Sequence, residues 1–398
     1  MATKRCWCWR KTWVAAAVLL GAGCSPAVRS WNTTAEWGNS YRGHRDSVGL
    51  IWFKTCYLYP ARDYLALDWL GRCWSGDEAW NVTEDGEVAD GPFYTNRRIS
   101  QITPETLRAL SPEAAPVGPW RIRKAKGPGA TKGFVGTDSR GRAYLVKLDH
   151  DEYPELGTAA EVIGSRLMWL LGYQVLPVYL VRVEGTGDPR YDGRRATATL
   201  YLEEGVLGGF KFDHFRMRRE VRALRMAAAW LDDVDRVDNN TLAVRRDGRM
   251  VCYQIDFNSC LGSWNGRPKE AWRGHRHAWD VERQIVDCLT LGLLPPPPAE
   301  RLLERPSLGR LDLPASTARQ WRGQNPNTAF DRMTHADAEW MARRLAEVSE
   351  EQIRAIVRAA EYEDPANEEE MCQYLLDRRR WVLRSWGVEH LLTDRGQR

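Results

Sequence analysis

The spacing of apolar residues changes period several times along this chain, and each change marks an element. Between Trp120 and Asp149, three runs (Trp120-Arg-Ile-Arg-Lys, Phe134-Val135 and Ala143-Tyr-Leu-Val-Lys147-Leu) are broken by Gly127-Pro-Gly129-Ala-Thr131-Lys132-Gly133 and by Asp138 to Gly141. That pattern predicts strands joined by turns. The period then lengthens. Val162, Ile163, Leu167, Leu170 and Leu171 fall on one face of a helix from Thr158 that Gly172 ends, since glycine accepts the left-handed conformation a helix end requires. Gln174 to Val183 and Ala196 to Leu202 read as two further strands flanking a polar loop. A second helix, Phe215 to Leu231, carries Val221, Leu224, Ala228 and Leu231 as its inner stripe and runs directly into Asp235. Beyond it, Asp247-Gly248 is a tight turn before the apolar run Val251 to Ile255, so this stretch reads as strand, turn, strand.

The flanks are less periodic. Ser25 to about Asp90 is rich in Trp, Tyr and Gly and predicts an irregular extension with one helix, Asp63 to Leu70. Thr103-Pro104-Glu105 is a helix start, with a capping hydroxyl and proline at the first helical position. Pro112, Pro116 and Pro119 mark a linker, and Pro295 to Pro298 a stiff break. The remainder predicts helices: Glu350 to Ala360, capped by Ser349 with Gln352 completing the box, and Asn367 to Trp386. The basic runs Arg216 to Glu220 and Arg378 to Arg380 read as solvated helix faces.

Chemistry gathers around the predicted hairpin. Asp235 is followed five positions later by Asn240, and the second strand delivers Asp256, so a carboxylate stands at each mouth of a stiff element. In phosphoryl transfer, one carboxylate orients the attacking hydroxyl while an amide oxygen and a second carboxylate hold Mg²⁺. Upstream, Gly127, Gly129 and Gly133 lie between two strands, where backbone N–H groups can approach phosphates. Lys147 sits inside the next apolar strand, either as a phosphate ligand or as an edge-strand charge. Glu161, expected in the first helical turn, either reaches back to Lys147 or complements the helix dipole, and Glu155 is the fallback partner.

Asp235 with Asn240 has the spacing of the protein-kinase catalytic loop, H-R-D-x-x-x-x-N, and Asp256-Phe257 resembles the start of D-F-G. Asp233-Val234 stand where His-Arg is usual, and Asn258 replaces the glycine, so the chain resembles an atypical, HipA-like kinase. The segments Ala79 to Arg97, Tyr153 to Leu156, Ala160 to Ile163, Ala228 to Leu242, Ile255 to Ser263 and Pro326 to Pro365 also resemble a bacterial family, commonly with signal peptides, that has no assigned substrate.

The resemblance implies an α+β, two-lobed protein-kinase-like fold with an irregular N-terminal extension. Residues 24–119 would be the extension, 120–205 the β-rich small lobe and 206–398 the mainly helical large lobe. It implies ATP and Mg²⁺ as cofactors, with Lys147 on the α- and β-phosphates, Glu161 orienting that lysine and Asp235 positioning the acceptor. Asn240 and Asp256 would hold the metal, Gly127, Gly129 and Gly133 would cover the phosphates, and the segment through Glu203 to Gly205 would form the adenine hinge. The acceptor, whether protein, sugar or lipid, is not specified. The lost histidine and Asn258 leave a second reading open, a catalytically inactive pseudokinase-like scaffold.

Residues 1–23 carry Lys4, Arg5, Arg10 and Lys11, then the apolar run Trp13 to Leu20, then Gly21-Ala22-Gly23 before Cys24. This resembles a bacterial lipoprotein signal with Cys24 acylated, placing the chain in the cell envelope; cleavage by an ordinary signal peptidase, giving a secreted soluble protein, is the alternative. The apolar run is short of the ~20 residues a membrane span needs. Those four basic residues account for the whole formal charge of +4, so the remainder is near neutral and nothing favours a nucleic-acid partner. Of nine cysteines, Cys56, Cys73, Cys252, Cys260, Cys288 and Cys372 follow Cys24; the even count fits an oxidising compartment, with Cys56 and Cys73 as the first pair to test. His275-x-His277 reads as a surface pair or a partial metal site. No G-x-x-x-x-G-K-[ST], Gly-x-Ser-x-Gly or H-E-x-x-H occurs, which argues against P-loop and common hydrolase chemistry.

Overall fold

Alternating side chains on five short strands build the first half of the molecule. In the computed structural model, which describes residues 26–33, 41–65, 78–127, 131–279, 285, 286, 288–291, 293 and 298–393, β1 (Arg121–Ala125), β2 (Gly133–Thr137), β3 (Ala143–Leu148), β4 (Val178–Arg182) and β5 (Arg195–Leu200) form an antiparallel sheet in the order β1-β2-β3-β5-β4. Phe134, Tyr144, Val146, Leu148, Tyr179 and Ala198 pack one apolar layer on it with Trp120. Strand side chains alternate between faces, so Lys147 points away from that layer. The lysine therefore sits in a central strand, between β2 and β5, and the edge-strand reading does not hold.

Before and beside this sheet lie the first helices: α1 (Pro26–Thr33), α2 (Val48–Phe53) and α3 (Tyr59–Leu65), with α4 (Pro104–Arg108) capped by Thr103 as its sequence predicts. The extension is thus more helical than its composition suggested. The expected helix from Asp63 appears instead as the end of α3, and its positions 66–70 lie outside the described residues. Arg62 binds Asp213 through two hydrogen bonds of 2.8 and 2.7 Å, tying the extension to the second half of the chain.

Helix α5 (Leu156–Leu170) begins two residues earlier than its periodicity predicts and is buried almost all round, since the sheet packs on it and so does the C-terminal helix Glu350–Arg358. The early start has a local cause. Asp149, just past β3, accepts from Glu155 N (3.0 Å), Thr158 N (2.8 Å) and Thr158 Oγ1 (2.7 Å), satisfying donors that a helix N-terminus leaves free. Glu161 consequently lies in the second turn, where the dipole reading loses its basis. Gly164 lets α5 approach the segment around Phe257, since a Cβ there would lie 3.0 Å from Phe257 Cβ. Asp149→Ala is expected to cost about 2 kcal/mol, read from the urea midpoint. A loss below about 0.5 kcal/mol would show that α5 needs no anchor.

The second half is mainly helical around α6 (Arg219–Leu231), α7 (His335–Glu347), α8 (Glu350–Arg358) and α9 (Pro365–Ser385). Ser349 and Gln352 form the expected capping box of α8. A three-stranded sheet, β6 (Val206–Gly208), β7 (Thr241–Arg246) and β8 (Arg249–Gln254), contains the predicted hairpin, turning through Asp247 and Gly248 at positive φ. Two small hairpins follow, β9 (Ser263–Trp264) with β10 (Arg267–Pro268), and β11 (Ala299–Arg305) with β12 (Gly309–Pro314). The latter corrects the expectation that everything after the proline run is helical.

Both solvated-face readings fail in part: Arg380 is exposed as expected, but other members of the runs are buried against acids. Arg218, Arg219, Glu220 and Arg378 are buried: Arg218 pairs with Glu220 at 2.6 Å, Arg219 with Asp337 at 3.1 Å and Arg378 with Asp232 at 3.3 Å. No helix of the described residues is long and apolar enough to cross a membrane. Cys56 is a free thiol, and its expected partner Cys73 lies outside the described residues, as does Cys24.

Candidate active site

Four elements deliver the chemistry-bearing side chains. Lys147 comes from β3 and Glu161 from α5, and Nζ lies 2.9 Å from Glu161 Oε2. The same ammonium lies 2.9 Å from Asp256 Oδ1, just beyond β8. Lys147 and Glu161 are buried, whereas the Asp256 side chain is 36% exposed, so this pocket of charge opens on its Asp256 side. Asp256 adopts φ 59°, a left-handed conformation that aspartate tolerates better than most residues. The positive φ falls at Asp256 and not at Asn258, so asparagine in place of glycine costs the backbone little there. Asn258 is buried, and its carbonyl accepts from Ser263 Oγ at 2.6 Å.

Asp235 lies on the loop between α6 and a short turn, Asp238–Asn240. Asn240 Nδ2 donates to the Asp235 carbonyl (2.7 Å) and to its carboxylate Oδ2 (3.0 Å), which leaves the amide oxygen of Asn240 as its acceptor group. The residue that holds this loop to Asp256 is Arg236, which sequence reasoning missed. Its Nη1 donates to the carbonyls of Asn240 and Ile255, both at 2.9 Å, its Nη2 to that of Asp256 at 3.1 Å, and its guanidinium lies 4.6 Å from the Phe257 ring centre. Its countercharge is Asp233 at 2.9 Å. Asp233 stands where a kinase catalytic loop has histidine, so this departure from the pattern supplies a buried ion pair that fixes the loop.

Charge sets the protonation states. Burial alone would lower the Lys147 pKa, but Asp256 and Glu161 outweigh it and keep the ammonium charged. Burial would likewise raise Asp256, yet Lys147 holds its carboxyl below the usual range. Glu161, sharing the same cation, is pushed up by burial. Asp235 is pushed up to about 7, first by burial and then by the charge of Asp256, against the hydrogen bond from Asn240. A carboxylate poised near neutrality is suited to accept a proton.

No protein-family profile matches the chain, and no curated protein matches it in sequence. Among solved structures it is similar to the Helicobacter pylori proinflammatory kinase CtkA, at 11% identity and a TM-score of 0.42, over 69% of this chain and 96% of that one. It is similar also to HipA from the toxin–antitoxin complex of Shewanella oneidensis MR-1, at 12% identity and a TM-score of 0.37, over 73% of each chain. The Golgi casein kinase is a third, at 10% identity and a TM-score of 0.34, over 74% of this chain and 79% of that one. Likeness at this level carries no conclusion about chemistry, which stands on the contacts above.

The structure thus brings Lys147, Glu161 and Asp256 into direct contact and sets Asp235 and Asn240 beside them. The glycines behave differently from one another. Gly133 opens β2, and a Cβ there would lie 2.0 Å from the Val146 carbonyl oxygen, so close strand packing already requires it. Gly127 lies in open space, and Gly129 is outside the described residues. Lys126, which was not singled out from sequence, donates to the Thr131 carbonyl at 3.1 Å across this loop. Burial and the charge of Lys147 lower its pKa, so it belongs to the same electrostatic neighbourhood. Glu203 lies between β5 and β6 with its carboxylate bound to Arg123 at 2.8 and 3.0 Å. Glu155 accepts from Glu363 N, so the fallback partner for Lys147 is engaged elsewhere. His277 Nδ1 lies 2.9 Å from the Gly323 carbonyl and His275 lies 3.9 Å from Asp312. Among the described residues, no group of three or more His, Cys, Asp or Glu side chains could hold a metal ion.

The donor chemistry of the Asp256 and Asn240 oxygens fits Mg²⁺, a hard cation that takes carboxylate and amide oxygens and completes its shell from phosphate and water. Asp235 is pushed up first by burial and then by the charge of Asp256, and a cation held on Asp256 would relieve the second of these.

Proposed function

We propose that this chain is a Mg²⁺- and ATP-dependent phosphotransferase of atypical kinase type. The observation that carries the reading is Lys147, whose one ammonium contacts Glu161 and Asp256 at 2.9 Å while Asp235 and Asn240 are tied to Asp256 through Arg236. In this reading Lys147 holds the α- and β-phosphates and Glu161 keeps it aimed, since an unpaired lysine on a flexible stem would lose most of its positional value. Asp256 and Asn240 hold the metal, and Asp235 orients the acceptor hydroxyl and takes its proton. When bound, Mg²⁺ supplies charge neutralisation on the phosphates. The backbone around Gly127, Gly129 and Gly133 covers the phosphates, and the segment through Glu203 to Gly205 meets the adenine. Residues 120–205 and 206–398 then act as small and large lobes, with residues 24–119 as the extension. The acceptor is a hydroxyl on a protein, sugar or lipid.

The test is binding. MgATP is expected to raise the melting temperature of the wild-type protein by several degrees, and Asp256→Ala to remove the Mg²⁺-dependent part of that shift. An Asp256→Ala protein that keeps the full shift would refute the assignment. The leader of residues 1–23 supports an envelope location through Cys24. A lipid probe on wild-type and Cys24→Ser protein, with fractionation, tests that separately.

A further inference from the structure

The segment that follows Asp256 is held by a buried charge cluster that the proposed chemistry does not use. Lys269 Nζ lies 2.5 Å from Asp232 Oδ2 and 2.7 Å from Asp312 Oδ1, and Arg378 Nη2 lies 3.3 Å from Asp232 Oδ1. These four side chains are at most 2% exposed. Two cations face two carboxylates, so the cluster is balanced, with Arg310 and His275 at 3.5 and 3.9 Å from Asp312 on its rim. Trp321 Nε1 also donates to Asp232 Oδ1, at 3.1 Å.

What distinguishes this cluster from an ordinary buried ion pair is where its members sit. Asp232 caps α6 three residues before Asp235. Lys269 lies thirteen residues beyond Asp256, in the position of an activation segment. Asp312 and Arg378 belong to β12 and α9, which form the fixed wall behind. Along the same segment, Leu261 N donates to Leu231 O at 2.9 Å, Lys269 N to Gly262 O at 3.0 Å, and Arg322 N to Gly274 O at 3.0 Å. The segment is pinned at several points, and among its charged side chains, which include Arg273 bound to Gln324, Lys269 is the one that meets two buried carboxylates. An apolar side chain would fill the same volume but would not select a position along the segment, whereas an ammonium between two carboxylates has one.

We propose that Lys269 is a positioning residue: through Asp232 and Asp312 it holds the segment after Asp256 in its assembled arrangement with charge built into the sequence, so that no added phosphate is required. A phosphate placed on such a segment would order it by creating charge-assisted bonds. Here both countercharges are already present. The inference rests on the phosphotransferase reading for its consequence, but not for its structural half.

Lys269→Met alone would leave two buried carboxylates without the ammonium between them, facing Arg378 and, from the rim, Arg310, so the informative variant is Lys269→Met/Asp312→Asn, which removes one charge of each sign, compared with Lys269→Arg. Hydrogen exchange on the full chain is expected to rise roughly tenfold over residues 259–275 in the double variant while α6 and α9 keep wild-type rates. Its Mg²⁺-dependent ATP affinity should fall roughly tenfold, as when a group supporting metal ligands is removed. Lys269→Arg, which keeps the charge, should stay near wild type in both. An unchanged segment, or loosening shared equally by the whole fold, overturns the proposal. So does an active preparation whose intact mass shows a phosphate and whose activity disappears on phosphatase treatment. A wild-type protein that binds no MgATP would remove the phosphotransferase reading and leave the exchange result to decide the structural half.

Discussion

Replacing Asp235 by asparagine is expected to lower turnover by roughly 10²- to 10⁴-fold while making the folded protein harder to unfold at pH 8. The loss follows from chemistry: an amide cannot take the acceptor's proton. The gain follows from the cost of the native carboxylate. Asp235 titrates near 7 in the fold, well above the ordinary value of 3.8, because burial and the nearby Asp256 disfavour its charge. A raised carboxyl pKa means that the folded state keeps its proton where the unfolded chain has lost it. The stability this group contributes is therefore complete below about pH 4 and is lost as pH climbs from there through about 7. Three units would correspond to about 4 kcal/mol, but Asp235 is partly exposed, and solvent screening reduces the expected benefit of asparagine to roughly 1–2 kcal/mol. Asn240 can still donate to the amide oxygen, so the loop keeps its hydrogen bond.

Two measurements check this together. Melting curves from pH 4 to 8 should show the variant and wild type diverging as pH rises and then running parallel above 7. The wild-type kcat/KM should rise with a midpoint near 7, since that ratio reports the free enzyme. Wild-type turnover in Asp235→Asn, or a variant less stable than its parent at pH 8, would count against the assigned role.

The residues of the proposed site were legible because their spacing is local. Asp235 and Asn240 are five apart, Asp256 follows a strand with a recognisable turn, and Lys147 and Glu161 lie on consecutive elements with clear periods. Two of the buried basic residues were not legible because their partners lie far along the chain. Arg219 finds Asp337 across 118 residues, and Arg378 finds Asp232 across 146. A basic run looks like a solvated face until its acid is located, and burial of a charge is decided by that partner rather than by local pattern. The β11–β12 hairpin was hidden for a related reason. Ala299-Glu-Arg-Leu-Leu-Glu-Arg305 alternates poorly and exposes much of its length, so it carries little of the two-residue signal. The start of α5 depended on Asp149, which read as the end of a strand and serves as the anchor of the next helix.

Arg236 is the sharpest case of a residue invisible in the sequence and decisive in the structure. Its guanidinium is fully buried and binds one carboxylate and three carbonyls, drawn from both the Asp235 loop and the strand end that carries Asp256. Arg236→Ala would leave Asp233 without its countercharge in the interior and remove the side-chain donor from three carbonyls at once, which is expected to cost about 3–5 kcal/mol in urea unfolding. A lysine in its place would keep the charge but lose the planar fork, so Arg236→Lys should fall between wild type and alanine. Much of the alanine penalty belongs to the abandoned acid. The double variant Asp233→Ala/Arg236→Ala should therefore cost less than the two single losses added, with a coupling of roughly 1–3 kcal/mol. MgATP binding should stay weakened in the double variant, because the guanidinium that joins the Asn240 and Asp256 carbonyls is gone and only the backbone bond from Ile255 N to Asn240 O, at 3.1 Å, remains between the two strand ends. If Arg236→Ala unfolds within about 1 kcal/mol of wild type, or if the double variant regains nucleotide binding, the loop is held by something other than this staple.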